Sequence, residues 1–382
     1  MKKKLIFISL DTVRADVAYS GKFGGVNKLR KDGITFLNTI SSSPLTPVSH
    51  ATVLTGLQPY NHGIRHLFKE KLNPKVETIT QILKRYNYKT GAIVSCPGMN
   101  KWYDFCRGFD SYDDEIPRLV DGSDPLKTVD VRKRGTALKR GEIVAERACK
   151  WIDKNKNEDF FLFLHFFDAH WPYEAPKKFG GDNVYEEEVA YSDHYMNLFI
   201  NKLKEEGLYD DVTIVCFSDH GEDLDGMYEN DKGGEKLGHP EELGHGCLLY
   251  DQTQKVIFIL KDQDLKRGKN IMQQVRLVDI TPTILNLLNI DYEKNKYNGI
   301  SLLPLINNNK KLNLLGYSET FYPTEQTRAG SGKFNNIRNK KSFRINNKYK
   351  IITEIDSDKI EFYDLENDEN ELNNLNKNYF EI

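Results

Sequence analysis

The sequence predicts an α/β fold with a mostly parallel central sheet sandwiched by helices, and a small antiparallel α+β subdomain towards the C-terminus. Short, continuously apolar runs of strand length alternate along the chain with amphipathic stretches of helical period. Continuous apolar runs are typical of strands covered on both faces, as in a parallel sheet flanked by helices. Three runs are closely followed by an aspartate, and reactive groups in such sheets collect at the carboxyl ends of strands.

Each predicted element rests on its own local pattern. The first strand is the apolar run that follows the N-terminal lysines, and four later runs have similar length. The stretches between them place apolar residues at helical spacing. The predicted strands are residues 5–10, 91–94, 160–167, 212–217 and 256–260, and the predicted helices are residues 76–86, 141–153, 187–206 and 280–288.

The amino-acid composition changes after about residue 305, where Asn and Lys dominate. Residues 342–363 read as short strands with turns at Asn346-Asn347 and near Ser357-Asp358. We therefore predict a catalytic domain at residues 1–305 and an antiparallel subdomain, packed on it, at residues 306–382.

Charge and cysteine usage exclude some classes of function. Lys and Arg number 54 against 56 Asp and Glu, so no broad basic field exists to gather nucleic acid. The five cysteines show no paired spacing, which predicts reduced thiols. The first apolar run stops at Leu10 without a cleavage site, and no run approaches membrane-span length. We expect no membrane segment and a cytoplasmic location; a homo-oligomer is left open.

A hydroxyl at the start of a helix is the first candidate reactive group. Thr46 and Pro47 are residue types favoured at a helix N-terminus, so capping alone would explain them. The same position would place the Thr46 hydroxyl beside backbone N–H groups that stabilise negative charge. His50, one turn later, would point back to the same helix end.

Strand-end acids and histidines supply the other candidates. Asp219-His220, in F-S-D-H-G-E, offers a carboxylate and an imidazole suited to a divalent cation. Asp11 follows the first strand, where either a helix cap or a metal ligand fits. His165, inside an apolar run, is predicted to be a hydrogen-bonded core residue. Further strand-end or loop candidates for positioning a substrate, protonating a leaving group or holding a second metal are Asp168, His170 and His245.

Together these residues resemble the sulfatase-like branch of the alkaline phosphatase superfamily, over nearly the whole chain and in the family's order. The matching motifs are S-L-D-T-V-R-A-D, T-P-V-S-H-A-T-V-L-T-G, G-F-D-S-Y-D-D, D-A-H-W-P-Y, F-S-D-H-G-E, G-H-G, V-D-I-T-P-T-I-L, N-G-I-S-L-L-P-L-I and E-F-Y-D-L-E-N-D-E-N-E. The resemblance implies an alkaline phosphatase-like α/β sandwich with a four-stranded C-terminal subdomain.

The resemblance also implies ligands for a divalent metal, whose identity (Zn, Mn, Ca or Mg) stays open. The implied metal ligands are Asp11, Thr46, Asp219 and His220. His170 and His245 match positions that contact the anionic head or the leaving group of the substrate. A second metal, as in two-metal relatives, would have Asp168, His170 and His245 as candidate ligands.

The chain departs from true sulfatases at the nucleophile. Those enzymes place Cys or Ser there, within C/S-x-P-S-R, and oxidise it to formylglycine. Here the residue is Thr46, whose β-carbon carries a methyl group and so cannot become an aldehyde. Val48 and His50 replace the Pro and Arg of the motif, and Thr12 replaces the second of two paired aspartates. These changes resemble the branch that uses an unmodified Thr on phosphorus substrates.

The sequence therefore predicts a metal-dependent hydrolase of a small anionic ester, with Thr46 attacking a phosphate mono- or diester, a phosphonate or a sulfate ester. His50, His170 and His245 are the predicted catalytic histidines. The enzyme alternatives are a formylglycine-independent sulfuric ester hydrolase and a phosphoryl-group transferase. The alternative from another class is a catalytically inactive binding module.

Overall fold

A computed structural model of the chain describes residues 4–119, 121–128, 139–175, 177–224, 238–240, 242, 244–328 and 337–376. The strands are β1 (Leu5–Leu10), β2 (Ile34–Phe36), β3 (Thr39–Ile40), β4 (Lys89–Ile93), β5 (Ser111–Asp113), β6 (Phe160–Phe166), β7 (Thr213–Phe217), β8 (Lys255–Val256), β9 (Phe258–Lys261), β10 (Lys269–Ile271), β11 (Val275–Arg276), β12 (Leu315–Thr320), β13 (Lys340–Ile345), β14 (Tyr349–Glu354) and β15 (Ile360–Asp364).

The α-helices follow the same chain order. They are α1 (Ala15–Ala18), α2 (Gly24–Asp32), α3 (Thr46–Thr55), α4 (Pro59–His62), α5 (Ile79–Arg85), α6 (Pro125–Thr128), α7 (Gly141–Asn155), α8 (Val184–Glu205), α9 (Asp251–Gln254), α10 (Ile280–Leu287), α11 (Leu303–Asn308) and α12 (Tyr322–Arg328). Short 3-10 helices cover Pro97–Met99, Lys101–Tyr103, Lys177–Phe179, Leu277–Asp279 and Lys294–Lys296. In the described part of the chain, each helix is too short or too polar to cross a bilayer.

The main sheet has the strand order β10-β2-β9-β7-β1-β6-β4-β5. Strand β1 lies at its centre and pairs in parallel with both β6 and β7. Every residue of β1, β6 and β7 is buried, as expected for strands covered on both faces. The predicted parallel sheet flanked by helices is therefore confirmed, with β9 added antiparallel to β7 at one side and β2 antiparallel to β9 beyond it.

Aromatic packing holds the central strands together. The Phe7 ring meets the Phe161 ring edge to face, with 5.1 Å between centroids, and meets Phe217 similarly at 6.4 Å. Such pairs add roughly 0.5–1.5 kcal/mol each to the burial of the rings. The central strands are thereby fixed in register, and their carboxyl ends become a rigid support for the residues that follow.

One predicted strand is wrong in its extent. Residues 256–260 form no single strand, because the chain changes sheet around Ile257. Val256 pairs with Thr39 in a small sheet of the order β11-β3-β8, whereas β9 joins the main sheet beside β7. An apolar run indicates burial but does not show which neighbours each half of the run will pair with.

The chain divides into two compact units, each assembled from several segments. The first comprises residues 1–35, 77–218 and 257–270, and the second comprises residues 36–76, 219–256 and 271–382. The predicted boundary near residue 305 stays a prediction. The second unit contains the four-stranded antiparallel sheet β12-β13-β14-β15. Its β13–β14 turn has Asn346 and Asn347 at φ 50° and 58°, a left-handed conformation that Asn tolerates, as the sequence predicted.

Candidate active site

In the first unit, Asp11 is held by a buried histidine. Asp11 follows β1 directly, and its backbone N–H donates to the carbonyl of Phe166 at 2.9 Å. His165 Nε2 lies 2.9 Å from Asp11 Oδ2, and both side chains are fully buried. His165 was predicted to be a hydrogen-bonded core residue, and that is confirmed; its partner was not foreseen.

Asp168 lies two residues past β6, and its contacts lie within the first unit. One carboxylate oxygen accepts from the Gly141 N–H at 2.9 Å and contacts Arg140 Nε at 3.1 Å. The other oxygen accepts from the Ser192 hydroxyl at 3.2 Å. Burial raises the pKa of Asp168, while Arg140 opposes that shift. These contacts give Asp168 a structural role at the start of α7, and its role at a second metal stays a prediction.

His170 is turned towards its own loop. Its Nδ1 donates to the carbonyl of Trp171 at 2.6 Å, and its ring stacks on Phe167 with 4.2 Å between centroids. The side chain is only partly buried. Within the first unit, the structure therefore holds the His170 ring in one orientation, and its predicted substrate contact stays a prediction.

In the second unit, helix α3 begins at Thr46 and carries the predicted nucleophile at its first residue. Leu45 precedes the helix with extended backbone, Pro47 fixes φ in the first turn, and Gly56 ends the helix in the left-handed region at φ 66°. All ten residues of α3 are buried. The start of the helix is thus set by local sequence, as predicted from Thr46 and Pro47.

His50 bonds back to the start of its own helix, as predicted from the spacing of one turn. Its Nδ1 donates to the Thr46 carbonyl at 2.7 Å and lies 3.6 Å from Asp219 Oδ2. The Nδ1 proton is therefore used in holding the first turn of α3 and faces the Asp219 carboxylate. This arrangement favours an orienting role for His50.

Asp219 and His220 are fixed by the second unit's own backbone and serines. The Asp219 carbonyl accepts from the hydroxyls of Ser41, at 2.5 Å, and Ser49, at 2.7 Å. Asp219 Oδ1 accepts from the His220 N–H at 2.9 Å. His220 Nδ1 donates to the Gly221 carbonyl at 2.9 Å, which leaves the proton on Nδ1 and the lone pair on Nε2.

Two further potential metal donors lie close to that lone pair. His220 Nε2 lies 3.4 Å from Thr46 Oγ1 and 3.4 Å from Asp219 Oδ2. Two donors bound tetrahedrally to one ion at 2.0–2.2 Å stand about 3.4 Å apart. A hydroxyl, an imidazole and a carboxylate at this spacing, all buried, fit a divalent cation. The structure thus brings Thr46, Asp219 and His220 together; that Asp11 joins them stays a prediction.

His245 is paired with a carboxylate that the sequence analysis did not single out. His245 Nδ1 lies 2.9 Å from Glu222 Oε1, and the His245 ring is 4.2 Å from the His220 ring, centroid to centroid. Burial lowers the pKa of His245 to about 4, so the ring is neutral at pH 7. A neutral ring that donates through Nδ1 keeps a lone pair on Nε2, which suits accepting a proton or binding a metal.

The segment around His245 is anchored on both sides. Asp223 and Gly244 exchange two backbone hydrogen bonds, of 2.6 and 2.7 Å. Cys247, Leu248 and Tyr250 then pack in one apolar cluster with side chains from β14 and β15. The Gly-, Glu- and Asp-rich segment of residues 221–246 is long for a connection, and it lies outside the described residues at 225–237, 241 and 243.

Comparisons with known proteins agree with the motifs. A family model described as "Sulfatase" matches residues 3–290, and one described as "N-sulphoglucosamine sulphohydrolase, C-terminal" matches residues 245–381. Lipoteichoic acid synthase 1 of Bacillus subtilis (strain 168) is 30% identical over 149 residues, which cover 36% of this chain and 22% of that protein. Arylsulfatase K of Rattus norvegicus is 21% identical over 331 residues, covering 74% and 58%. The chain thus spans less than two thirds of the length of these relatives.

Solved structures show the same fold. One, a protein in complex with its substrate D-glucosamine-2-N,6-O-disulfate, aligns with a TM-score of 0.76 and 16% identity, over 98% of this chain and 93% of that one. The phosphonate monoester hydrolase of Agrobacterium radiobacter aligns with a TM-score of 0.75 and 16% identity, over 99% and 92%. At such identities the likeness shows the fold alone.

Proposed function

This chain belongs to the sulfatase family, and on that premise we propose that it hydrolyses a charged ester with Thr46 as nucleophile. The observation that carries the proposal is the 3.4 Å approach of Thr46 Oγ1 to His220 Nε2 at the first residue of a buried helix. A threonine that only capped the helix would have no need of an imidazole and a carboxylate at metal-donor spacing.

A divalent metal is the cofactor we propose. Asp219, His220 and Thr46 would hold it together with Asp11, as the family resemblance implies. Such an ion supplies a lowered pKa for a bound hydroxyl and offsets negative charge on a phosphoryl or sulfuryl group. Around it, the protein holds Asp219 through Ser41 and Ser49 and holds His220 through Gly221.

The chain's own groups account for the rest of the first step. The Thr46 hydroxyl gives up its proton as its oxygen attacks phosphorus or sulfur in line and forms an ester bond to Thr46, while the bond to the leaving oxygen breaks and that oxygen takes up a proton to depart as an alcohol. Backbone N–H groups in the first turn of α3 face the developing charge, and the helix dipole favours that charge. Water then attacks the covalent intermediate and releases Thr46, with neutral His245 as a proton acceptor.

Phosphorus is the centre we favour. A formylglycine hydrate can expel sulfate by elimination, but a threonine ester has no such route and must be opened by water. The solved structures with the same fold include a phosphonate monoester hydrolase and a complex with a sulfated sugar, so the fold alone does not separate the two kinds of ester. The unmodified hydroxyl of Thr46 therefore supports a phosphate ester or a phosphonate as the substrate.

The test is a panel of aryl phosphate monoesters, diesters, phosphonates and sulfates. Wild type, Thr46→Ser and Thr46→Ala are compared, with exposed Thr128→Ala as the matched control. We expect Thr46→Ala to lose roughly 10³-fold or more in kcat, Thr46→Ser to retain activity, and Thr128→Ala to match wild type. Mass spectrometry of acid-quenched wild type should find the covalent group on Thr46. Full activity of Thr46→Ala would refute the nucleophile.

A transferase is the second candidate, supported by the similarity to a protein named lipoteichoic acid synthase 1. The same Thr46 ester would then be opened by an acceptor alcohol instead of water. Product analysis with and without added glycerol separates the two, because a transferase forms a glycerol phosphoester at the expense of free phosphate. Elemental analysis addresses the binding-module alternative, for which no stoichiometric divalent metal is expected.

A further inference from the structure

A buried histidine in the first unit connects two neighbouring strands to Asp11. His165 lies on β6 and pairs across the sheet with Ser9 of β1, two residues before Asp11. The Asp11 backbone also joins β6, through its N–H bond to the Phe166 carbonyl. The His165 side chain is fully buried, and its ring lies 6.1 Å from the Phe167 ring. An imidazole so deep in an apolar layer requires hydrogen-bond partners to offset its lost hydration.

The partners of His165 determine which nitrogen carries the proton. The backbone N–H of Ser95 donates to His165 Nδ1 at 3.3 Å. A backbone N–H is only a donor, so Nδ1 is the acceptor and the proton of the neutral ring lies on Nε2. That Nε2–H group points at Asp11 Oδ2, 2.9 Å away. The Ser95 hydroxyl also donates to the His165 carbonyl, so residue 95 holds both the ring and the backbone of His165.

These hydrogen bonds connect three strands and end at the Asp11 carboxylate. It runs from Ser95, just past β4, through His165 on β6, to Asp11 at the end of β1. The three strands are neighbours in the main sheet. A carboxylate at a strand end otherwise rotates about two side-chain bonds, which it must stop doing when it binds a ligand. The His165 bond removes that rotation in advance.

We propose that His165 is a positioning residue that pre-orients Asp11 for the divalent metal. The proposal rests on the proposed function, because it takes Asp11 to be a metal ligand. Hydrogen-bond partners of ligating carboxylates are worth about 10–100-fold in metal affinity. His165 does not need to touch metal or substrate to have this effect.

A competing arrangement must be separated from it. Donor atoms of Asp11, Cys96 and His165 all lie within 4.8 Å of one another, and all three side chains are buried. In the competing arrangement these three residues bind a metal ion themselves, and His165 and Cys96 are direct ligands. The Ser95 bond to Nδ1 and the Nε2 proton aimed at Asp11 favour the positioning role.

The experiment is titration of the metal-free full chain with Mn²⁺ and Zn²⁺ in a calorimeter. The variants are His165→Leu, which removes the donor, and His165→Gln, whose amide N–H replaces Nε2–H. Asp11→Asn tests the ligand and Cys96→Ala tests the competing site. We expect Asp11→Asn to abolish tight binding, His165→Leu to weaken it about 10–100-fold, His165→Gln to restore it to within a few-fold, and Cys96→Ala to leave it unchanged.

Each contrary result has a definite meaning. Wild-type affinity in His165→Leu, together with lost affinity in Asp11→Asn, overturns the positioning role and leaves the proposed metal site standing. Cys96→Ala as weak as His165→Leu also overturns it, because both residues are then ligands. Wild-type affinity in Asp11→Asn overturns the metal assignment of Asp11 and the positioning role with it. Restored affinity in His165→Gln shows that the hydrogen-bond donor is what His165→Leu lost. Thermal unfolding of each metal-free variant shows whether a substitution has destabilised the core.

Discussion

Glu222 Oε1 accepts a hydrogen bond of 2.9 Å from His245 Nδ1, although 23 residues separate the two in the chain. The bond exists because Asp223 and Gly244 close the intervening segment with two backbone hydrogen bonds. Gly244 has φ 94°, and a Cβ there would lie 3.2 Å from Glu222 Oε1. The backbone is therefore shaped to let the carboxylate reach the imidazole, and the pair fixes which nitrogen of His245 points away from Glu222.

We predict that Glu222→Gln lowers kcat about 10²-fold on any ester that the wild type turns over. A Gln side chain can donate to Nδ1 and so favour the opposite tautomer of His245, which places a proton on Nε2 where the proposed reaction requires a lone pair. The ¹⁵N shifts of the His245 ring report the tautomer directly, alongside steady-state kinetics.

The control for that variant is Glu146→Gln, which changes an exposed carboxylate paired with Lys150. It should match wild type in both kinetics and stability. If Glu222→Gln changes the tautomer and leaves kcat as it was, His245 takes no part in proton transfer, and its role reduces to shaping the site.

The serine pair beneath Asp219 gives a second prediction. Ser41 and Ser49 both donate to the Asp219 carbonyl, and their hydroxyl oxygens are 2.9 Å apart. Ser49→Ala should reduce the free energy of unfolding by about 1 kcal/mol, because one buried acceptor loses one of its donors. The Ser41→Ala/Ser49→Ala double variant should lose more and also weaken metal binding, since Asp219 is then held less firmly.

Chemical denaturation and metal titration measure these two effects separately. Ser301→Ala, which removes a hydroxyl bonded to Asn286 outside the site, is the control and should leave metal affinity intact. A double variant with reduced stability and full metal affinity would show that the serines support the fold but not the position of Asp219.

An ion pair of the second unit gives a third prediction. Arg65 bonds Glu319 through two 2.7 Å contacts, and the Glu319 side chain is only 1% exposed. Arg65→Met should lower the free energy of unfolding by about 2 kcal/mol, because the buried carboxylate loses its counter-charge. Arg65 is partly exposed, so the loss should stay below that of a fully buried pair.

Arg85→Met is the matched control, because Arg85 pairs with Glu77 where both side chains are largely exposed. Its loss should lie between about 0 and 1 kcal/mol. Equal losses in the two variants would mean that burial of Glu319 does not govern the strength of the Arg65 pair.

Much of the main sheet could be predicted because its strands are buried on both faces. The runs that became β1, β6 and β7 are apolar throughout, which leaves a local signal in the sequence. Strands β3, β8 and β11 have two residues each and were not predicted as strands of their own. They exist because Thr39 pairs with Val256 on one side and Val275 on the other, and no local pattern encodes such distant partners.

In the site, too, contacts between residues close in sequence were predicted and contacts between distant residues were not. His50 and Thr46 are one helical turn apart, and Asp219 and His220 are adjacent, so spacing alone predicted their proximity. Glu222 and His245 meet through a loop closure, and the partner of His165 is 154 residues away. A histidine inside an apolar run signals that a polar partner exists, but only the strand order β1-β6 identifies that partner as Asp11.

The pH dependence of stability gives a fourth prediction, through Glu242. This side chain is buried and accepts from the backbone N–H groups of Cys247 and Leu248. Burial raises its pKa from 4.5 to about 8, and the nearby Asp223 carboxylate adds to the shift. Between pH 4.5 and about pH 8, Glu242 is therefore protonated in the folded state and ionised in the unfolded state.

The sign follows from that proton. Stability from Glu242 is fully present below about pH 4.5 and is lost as the pH rises towards about 8, by at most about 1.4 kcal/mol for each pH unit. Glu242→Gln keeps a hydrogen-bond acceptor and removes the titrating group. The free energy of unfolding of the variant should therefore increase relative to that of wild type as the pH rises from 5 to 8. Denaturant unfolding at several pH values measures the difference, with exposed Glu293→Gln as the control. A constant difference between wild type and Glu242→Gln across this range would mean that Glu242 is ionised in the folded protein.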